Sequence, residues 1–426
     1  MIKDKISILT AISLNINVIV GSAFFLGAPI ICKTGGGILA PFSWLFWGLI
    51  IFPIVLVLAK LSTFYTDAGG IYIYAKRELG SFWSFLSGWG YFIGMVAGNT
   101  IIIHKFSEYI CKYLFLKINI LLLDILLITF FTILNLANIN FLEKTNLLFA
   151  VLKTIPLIFV VISSLFLFKS DNIISAPINF SDFFSTIPFV IFGYIGFEVC
   201  CSVAHQIKNG KKNTSKAILI SFASIMLIYF VIQFCFLAIF GVSTNQPFLE
   251  IFPKLTSNNL MIFIGNRLIE ATIMSSFLGG FYGAFYSNNW ILYSMAQNKE
   301  LPFYKHIIKL NKFQMPNIAI IIQGILTIIF LFITQQAYNL ISMSDFAVAI
   351  SYLLSTIAFL FIYLKNKETK NKLKNIIIGL FAFLSCCYLL FYCAKELIES
   401  QQIIFFLIII FSGILFNKFT KKKAYS

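Results

Sequence analysis

The chain has 426 residues, of which 59% are hydrophobic and 11% are charged, and its formal net charge is +16. Soluble domains carry about 25% charged and about 45–50% apolar residues, so this chain holds more apolar side chains than a water-soluble core could bury. The composition excludes a collagen, a disordered chain and a disulfide-stapled secreted domain. A transmembrane β-barrel is disfavoured because barrel strands alternate apolar and polar residues, whereas these apolar runs reach about 20 residues.

The eight cysteines and three histidines indicate neither a metal centre nor a cofactor. No CxxC or HExxH spacing occurs, and the histidines are far apart in the sequence. Two pairs of adjacent cysteines lie inside apolar runs, where cysteine acts as a small core residue. We therefore expect no metal, no cofactor and no membrane-embedded enzyme.

In chain order, about twelve apolar segments are long enough to cross a bilayer as helices, the structure that satisfies a backbone in hydrocarbon. The first segment lacks a small-residue cleavage site, so we interpret it as a retained helix and not a signal peptide. The connections leave no room for a separate soluble domain. The predicted spans are 7–32, 38–60, 82–111, 118–138, 146–168, 183–204, 216–241, 264–294, 316–334, 339–364, 375–394 and 401–417.

Lysine is concentrated in the termini and in alternate loops between these spans. Examples are the loop with Lys208, Lys211 and Lys212 and the C-terminal tail with Lys421 and Lys422. Basic loops remain on the cytoplasmic side of a membrane, which places both termini in the cytoplasm, as an even number of spans requires. The positive net charge is thus a topology signal, and we expect no nucleic-acid partner.

Two of the spans are interrupted in a way that predicts a transport site. The first carries Gly21-Ser22-Ala23 at mid-depth, and the sixth carries the segment from Gly193 to Glu198. Paired interruptions at corresponding places in two halves of a chain are the sequence pointer to an inverted-repeat transporter. Unwinding exposes N–H groups on one half-helix and carbonyl groups on the other, which suits the two charges of an amino acid. Glycines that only allow close helix packing are the alternative.

Several motifs, in this order and spacing, resemble the amino acid–polyamine–organocation superfamily over nearly the whole chain. Within it, Gly98-Asn99 is similar to the basic amino acid/polyamine antiporter branch, which includes arginine/agmatine antiporters. The motifs are Gly21-Ser22-Ala23-Phe24-Phe25, Ala59-Lys60-Leu61-Ser62, the segment from Ala68 to Arg77 with Gly80, Gly196-Phe197-Glu198, the basic loop from Ile207 to Asn213, and Leu301-Pro302.

This resemblance implies an all-α integral membrane fold with twelve transmembrane helices. The family fold is a five-plus-five inverted repeat, here roughly 7–168 and 183–364, in which helices 1 and 6 are broken, with two extra C-terminal helices in 375–417. The chain from 1 to 426 would then form one multi-pass transporter domain.

The resemblance also implies roles for individual residues. Ser22 would donate to the substrate carboxylate, Asn99 would contact the substrate, and Phe192 stands where the antiporters have a gating tryptophan. Glu198 matches a glutamate tied to gating and proton sensitivity. The segments that match the two broken regions are Ile19, Val20, Gly21, Ser22 and Ala23 in helix 1 and Ile195 and Gly196 in helix 6.

Two departures from the antiporter pattern bear on mechanism. The helix 8 gate tryptophan falls on Ala284, with Phe281 or Phe285 as the neighbouring aromatic replacements. Lys153 in helix 5 has no counterpart in the arginine/agmatine antiporters, but proton-coupled permeases of the superfamily have a lysine there. In them, its ammonium occupies the place where sodium-coupled relatives bind sodium.

Lys153 and Glu198 are ionisable groups inside apolar spans and are therefore functional candidates by default. Burial disfavours the charged form of either group, so each could carry a proton. A structural ion near backbone carbonyls is the alternative for Lys153, and a gate hydrogen bond without titration is the alternative for Glu198.

The sequence therefore predicts a secondary active amino acid transporter of the cell inner membrane that works by alternating access. We expect antiport of amino acids, or of an amino acid against an amine; the alternative is a proton-coupled symporter that uses Lys153. A channel is disfavoured because it needs a selectivity ring, usually from oligomer symmetry. The expected partners are a small-molecule amino acid or amine and membrane lipid, and a homodimer is compatible with the sequence.

Overall fold

The computed structural model describes residues 5–115, 117–137, 139–242, 247–365 and 371–424. Within these ranges the chain is all-helical, with isolated bridges in place of strands. The helices are α1 Ile8–Ile19, α2 Ser22–Thr34, α3 Ala40–Phe64, α4 Ile71–Glu78, α5 Ser81–Leu114, α6 Ile120–Leu134, α7 Ile139–Leu167, α8 Ser170–Ile174, α9 Phe180–Ser185, α10 Ile187–Tyr194, α11 Val199–Ser202, α12 Gly210–Phe240, α13 Pro247–Leu255, α14 Asn259–Gln297, α15 Tyr304–Ile307, α16 Asn317–Ile333, α17 Ala337–Lys365, α18 Lys372–Glu399 and α19 Ile403–Ala424.

Among the described residues, seven helices are long and apolar enough to cross a membrane: α3, α5, α7, α12, α14, α17 and α18. The helices α1, α6 and α16 are apolar but shorter. Many large apolar side chains, such as Leu165 and Phe391, point out of the bundle. A helical bundle with this apolar exterior matches a chain whose solvent is lipid.

The predicted spans differ from the observed helices in two places. The segment 7–32 is divided into α1 and α2, and the segment 183–204 is divided into α9, α10 and α11, followed by a short 3-10 turn. Four short helices, α4, α8, α13 and α15, lie in connections for which the hydropathy gave no helix. Short connecting helices escape a hydropathy search because they are not long enough to span hydrocarbon.

Small residues bring the central helices close together. The long helix α5 packs on α17 and α14, and a Cβ placed on its Gly94 would lie 2.8 Å from Ala347 Cβ. The helix α14 packs on α1 through Gly280 and Gly283; a Cβ on Gly280 would lie 3.2 Å from the Asn17 carbonyl oxygen. Close backbone approach through small residues is how helices associate when lipid removes the hydrophobic driving force.

Backbone hydrogen bonds close one end of the bundle, which we call the N-terminal face. The Ile6 N–H donates to the Gln206 carbonyl at 2.9 Å, and the Lys208 N–H donates to the Ile6 carbonyl at 3.0 Å. Nearby, the Gly69 N–H donates to the Ser202 carbonyl at 3.0 Å. The segment before α4 therefore lies directly against the end of α11.

A buried carboxylate ties further elements together at the same face. Glu300, which is fully buried, pairs with Lys76 of α4 at 2.5 Å and accepts from the Ser81 hydroxyl at 2.9 Å. Its own backbone carbonyl accepts from the Asn417 amide of α19 at 2.9 Å. The loop after α14, the helix α4 and the last helix are thus joined through one residue.

Replacing Gly70 by alanine should destabilise this closed face. Gly70 has φ +42, and a Cβ there would lie 2.8 Å from the backbone of Cys201 and Ser202. We expect Gly70→Ala to cost about 2–4 kcal/mol from backbone strain and overpacking together, measured as a lower midpoint of thermal unfolding in detergent. Gly80→Ala is the matched control, because Gly80 has φ +84 but open space around its Cβ position. Equal losses from both variants would contradict the close approach.

Candidate functional site

The first helical interruption lies between α1 and α2. Val20 and Gly21 leave the helical conformation, with φ/ψ of −83°/64° and −107°/−151°. A Cβ on Gly21 would lie 3.1 Å from the Val18 carbonyl oxygen, which is a tight contact, and 3.9 Å from Gly280 Cα. The chain therefore crosses α14 with backbone against backbone at this point.

The second interruption lies between α10 and α11. Helix α10 ends at Tyr194, and Ile195 leaves the helical conformation. Gly196 has φ +114, a backbone conformation that residues other than glycine rarely adopt. The chain becomes helical again at Val199. Glycine thus supplies the turn that ends one half-helix and begins the next.

The two interruptions are in direct contact. A Cβ placed on Gly196 would lie 2.5 Å from Val18 Cγ1 and 3.2 Å from the Ile19 backbone nitrogen. The predicted residues Ile19, Val20, Gly21, Ile195 and Gly196 are therefore brought to one place, where two chain segments with free backbone groups face each other. Mid-bundle backbone of this kind is tolerated where protein or a cavity surrounds it.

Side chains from neighbouring helices satisfy the freed carbonyl groups of α1. The Tyr229 hydroxyl of α12 donates to the Ile19 carbonyl at 2.8 Å and lies 3.4 Å from the Gly193 carbonyl of α10. The Tyr229 ring stacks on Phe24 of α2 with centroids 4.0 Å apart. One tyrosine therefore contacts both half-helices that end at the interruptions and one that begins there.

Lys153 of α7 lies at the same helix end. Its Nζ donates to the Asn17 carbonyl at 2.8 Å and to the Val20 carbonyl at 2.7 Å, and its side chain is fully buried. The Ser276 hydroxyl of α14 also donates to the Val20 carbonyl, at 2.6 Å. A cation at the C-terminal end of a helix is stabilised by the unpaired carbonyl groups and by the helix dipole.

Asn15 connects α1 to the second interruption. Its amide nitrogen donates to the Phe197 carbonyl at 2.7 Å, and its amide oxygen accepts from the Cys200 N–H at 3.1 Å. The amide nitrogen also lies 3.1 Å from the Ser221 hydroxyl of α12. Asn15 therefore holds the start of α11 against α1 through both ends of one amide group.

Glu198 is buried beside the second interruption. Its Oε1 accepts from the Tyr91 hydroxyl of α5 at 2.7 Å, and its Oε2 accepts from the Gly196 N–H at 3.1 Å. The carboxyl group thus links the turn at Gly196 to α5. Protonation would place a hydrogen on one of these two oxygens and weaken the bond that this oxygen accepts.

The N-terminal end of α2 begins at the first interruption. Gly21 occupies the cap position and supplies no side-chain hydrogen bond to the first turn, whose N–H groups have no partner within the helix. The side chains of Ser22 and Ala23 lie outside the described residues. The backbone here offers donors and a positive dipole end, which is the arrangement that binds carboxylates.

Among the described residues, the remaining predicted residues make no hydrogen bond to either interruption. Asn99 of α5 is buried, and within the described part of the chain its amide atoms have no hydrogen-bond partner. Phe192 is half-buried and lines a cavity of about 580 Å³ between α2, α10, α17 and α18. Phe281, Ala284 and Phe285 are all buried, and Phe281 packs on Phe131 of α6 with centroids 5.3 Å apart.

Sequence reasoning missed several residues that organise the site. Tyr229 and Ser276 carry no motif, and their hydroxyl groups lie in spans more than 200 residues from the carbonyl groups they meet. The sequence likewise did not indicate that the Tyr91 hydroxyl binds Glu198. The sequence does show polar residues in the middle of these spans. Such residues indicate buried hydrogen bonds, but they do not identify the partners.

The model of the family described as "Amino acid permease" matches residues 6–414. The chain belongs to the amino acid permease family. The superfamily resemblance predicted from the sequence is thereby confirmed, and a family of permeases agrees with the expectation that the chain is not an enzyme. It is a multi-pass membrane transporter.

Relatives of this permease include transporters with different named substrates. The chain is 25% identical to a serine/threonine exchanger of Bacillus subtilis, over 90% of this chain and 88% of that protein. It is 26% identical to an arginine/ornithine antiporter of Lactococcus lactis, over 82% of this chain and 76% of that protein. An aspartate–proton symporter of Bacillus subtilis is 24% identical over 100% of this chain and 86% of its own length.

Removing one hydroxyl group should test the contact between the interruptions. Tyr229→Phe keeps the ring on Phe24 but leaves the buried Ile19 carbonyl without its donor, at a cost of about 1–3 kcal/mol. We expect a lower midpoint of thermal unfolding and slower amino acid uptake. The control is Tyr304→Phe, because Tyr304 of α15 is half-buried and lies outside the cavity that Phe192 lines. Identical stability and uptake in both variants would contradict this assignment.

Proposed function

We propose that this permease carries amino acids across the cell inner membrane by alternating access, with the substrate bound where the two interruptions meet. The observation that carries the proposal is the contact between Gly196 and the end of α1, because it places two sets of freed backbone groups around one position. The proposal includes twelve membrane crossings, a five-plus-five inverted repeat and two cytoplasmic termini.

The charges of an amino acid suit the two helix ends. The substrate carboxylate binds the N–H groups at the start of α2, with Ser22 as an additional donor, and the ammonium group binds freed carbonyl groups near Ile195. Asn99 and Phe192 shape the space for the side chain. Glu198 couples the turn at Gly196 to α5 and so links substrate binding to gating.

One face of the helical bundle is closed and the other contains cavities, which supports an outward-facing state. The N-terminal face is closed by the bonds of Ile6 and Gly69 described above, and the proposed topology makes this face cytoplasmic. Two cavities of about 550 and 580 Å³ lie near the opposite face. Opening the N-terminal face while closing these cavities is the change that transport requires.

Antiport is the first choice of mechanism. An exchanger and an antiporter are among the relatives, and one of them is named for basic amino acids. We propose exchange of amino acids, or of a basic amino acid against a related amine, as in the arginine/agmatine branch. The buried substrate position contains Glu198 as its acidic group, so the choice between neutral and basic substrates depends on the side-chain pocket near Asn99.

Counterflow in proteoliposomes tests antiport. Vesicles loaded with unlabelled serine or arginine should accumulate the same labelled amino acid, whereas empty vesicles should take up little, because an obligate exchanger returns only when loaded. Empty vesicles with a pH gradient are the second arm. Uptake that needs no internal substrate and collapses with the pH gradient would contradict antiport.

Proton symport is the second candidate, and the position of Lys153 favours it. Its ammonium group fills the carbonyl site at the end of α1, where the charge of a bound cation would stabilise the interruption. Loss of its proton would leave the Asn17 and Val20 carbonyl groups with weaker partners and allow α1 to move. An aspartate–proton symporter is among the relatives.

Replacing Lys153 separates the two mechanisms. In a symporter, Lys153→Ala should abolish the response of uptake to a pH gradient while counterflow persists, because exchange needs no net proton movement. The control is Lys144→Ala, an exposed lysine on the same helix α7. If uptake by Lys153→Ala still follows the pH gradient as in the wild type, the coupling role is wrong.

A further inference from the structure

A second cavity with charged walls lies outside the proposed transport site. It measures about 550 Å³ and is formed by α2, α5, α13 and α14 near the opposite face. Phe25 and Phe277 are among its lining residues. Phe25 lies one helical turn beyond Gly21, and Phe277 follows Ser276, whose hydroxyl binds the Val20 carbonyl. Aromatic side chains therefore separate this cavity from the interruption of α1.

The cavity wall carries charges of both signs. Arg267 and Glu270 of α14 lie one turn apart, with Nη1 and Oε2 separated by 3.4 Å, and both side chains are partly accessible. Lys112 of α5 adds a second positive charge. The distance of 3.4 Å between Arg267 and Glu270 is longer than that of a strong charge-assisted hydrogen bond. Each of the two groups can therefore bind a further partner at little cost in free energy.

Arg267 is held in place by its surroundings. Its guanidinium carbon lies 4.6, 5.4 and 5.2 Å from the ring centroids of Tyr113, Phe115 and Phe263. Its Nη1 donates to the Tyr113 carbonyl at 2.7 Å, and the Tyr113 hydroxyl donates back to the Arg267 carbonyl at 3.2 Å. Within the described residues only Nη1 of the five-donor guanidinium group is used. The cation is fixed, and most of its donors remain for a ligand.

An unpaired acceptor lies beside these charges. Asn266 lines the cavity, and within the described ranges its buried amide oxygen has no hydrogen-bond partner. Buried acceptors without a donor are uncommon in folded proteins and point to an absent partner. An ammonium group between Asn266 and Glu270 would supply the donor, while a carboxylate would bind Arg267.

We propose that this cavity, between Arg267, Glu270 and Asn266, is an outer capture site that binds an amino acid zwitterion before it reaches the interruptions. The proposal rests on the proposed function, because only the transporter topology makes this face external. The site raises the local concentration of substrate in the cavity, on the side of Phe25 and Phe277 that faces away from the interruption of α1. It also selects molecules that carry an ammonium group and a carboxylate together, whatever their side chain.

A sided transport measurement tests the site. The probe is whichever of the twenty amino acids, beginning with serine, arginine and aspartate, the wild type carries, with uptake measured from outside and efflux from inside the same cells. We expect Arg267→Gln and Glu270→Gln each to raise the external half-saturating concentration about fivefold to tenfold, which corresponds to the net loss of about one ordinary hydrogen bond. The internal half-saturating concentration and the maximal rate should not change, because the cavity faces only one side.

Two further variants separate binding from folding and from surface charge. Arg267→Lys keeps the charge but not the planar fork, so it should recover part of the external affinity. Lys169→Gln removes an exposed positive charge between α7 and α8, outside the lining of both cavities, and should leave external affinity as in the wild type. If Arg267→Gln fails to fold, Glu270→Gln and Arg267→Lys still decide the question.

A lipid headgroup could present the same ammonium and anion, so the assay is repeated in vesicles with and without phosphatidylethanolamine. The effects of the variants should be the same in both. A change that occurs only with phosphatidylethanolamine, an equal rise on both sides of the membrane, or no change at all would overturn the capture site. Wild-type protein that carries none of the twenty amino acids would instead refute the proposed function.

Discussion

The structure depends on satisfying backbone groups that two interrupted helices release inside an apolar bundle. Each unpaired carbonyl or N–H group costs several kcal/mol in hydrocarbon, so an interruption persists only where partners surround it. Tyr229, Ser276 and Lys153 supply donors to the end of α1, and Asn15 supplies both a donor and an acceptor to the second interruption. In the proposed mechanism, the N–H groups at the start of α2 bind the substrate carboxylate.

These partners also explain how local binding could move whole helices. Tyr229 contacts the ends of both α1 and α10, so a shift of either half-helix changes bonds to the other. Glu198 connects the second interruption to α5, and Glu300 connects α4, the loop after α14 and α19 at the N-terminal face. Packed cores with discrete hydrogen bonds switch between arrangements and do not deform continuously, which suits an alternating-access transporter.

Charged residues in the loops and in the helices have different roles in the proposed mechanism. In the proposed topology, lysines in the loops orient the chain; several ionisable groups inside the helices have specific partners, as Asp124 has in His104 at 2.7 Å. Arg267 and Glu270 differ from that pair, because they line a cavity and their mutual contact is long. The outer cavity and the interruptions would then act in series, the first binding both charges of an amino acid and the second carrying it through.

The sequence by itself determined the class of fold, the approximate spans and the positions of both interruptions, because hydropathy, glycine and mid-span polar residues are local properties of the chain. It also singled out Lys153 and Glu198, since any charge in an apolar run needs a reason. Only the tertiary structure decided their partners, the carbonyl groups of Asn17 and Val20 for the lysine and Tyr91 for the glutamate. Contacts between residues far apart in sequence depend on how the helices pack. The hydrophobic pattern of one helix does not identify the side chains of the neighbouring helices that contact it.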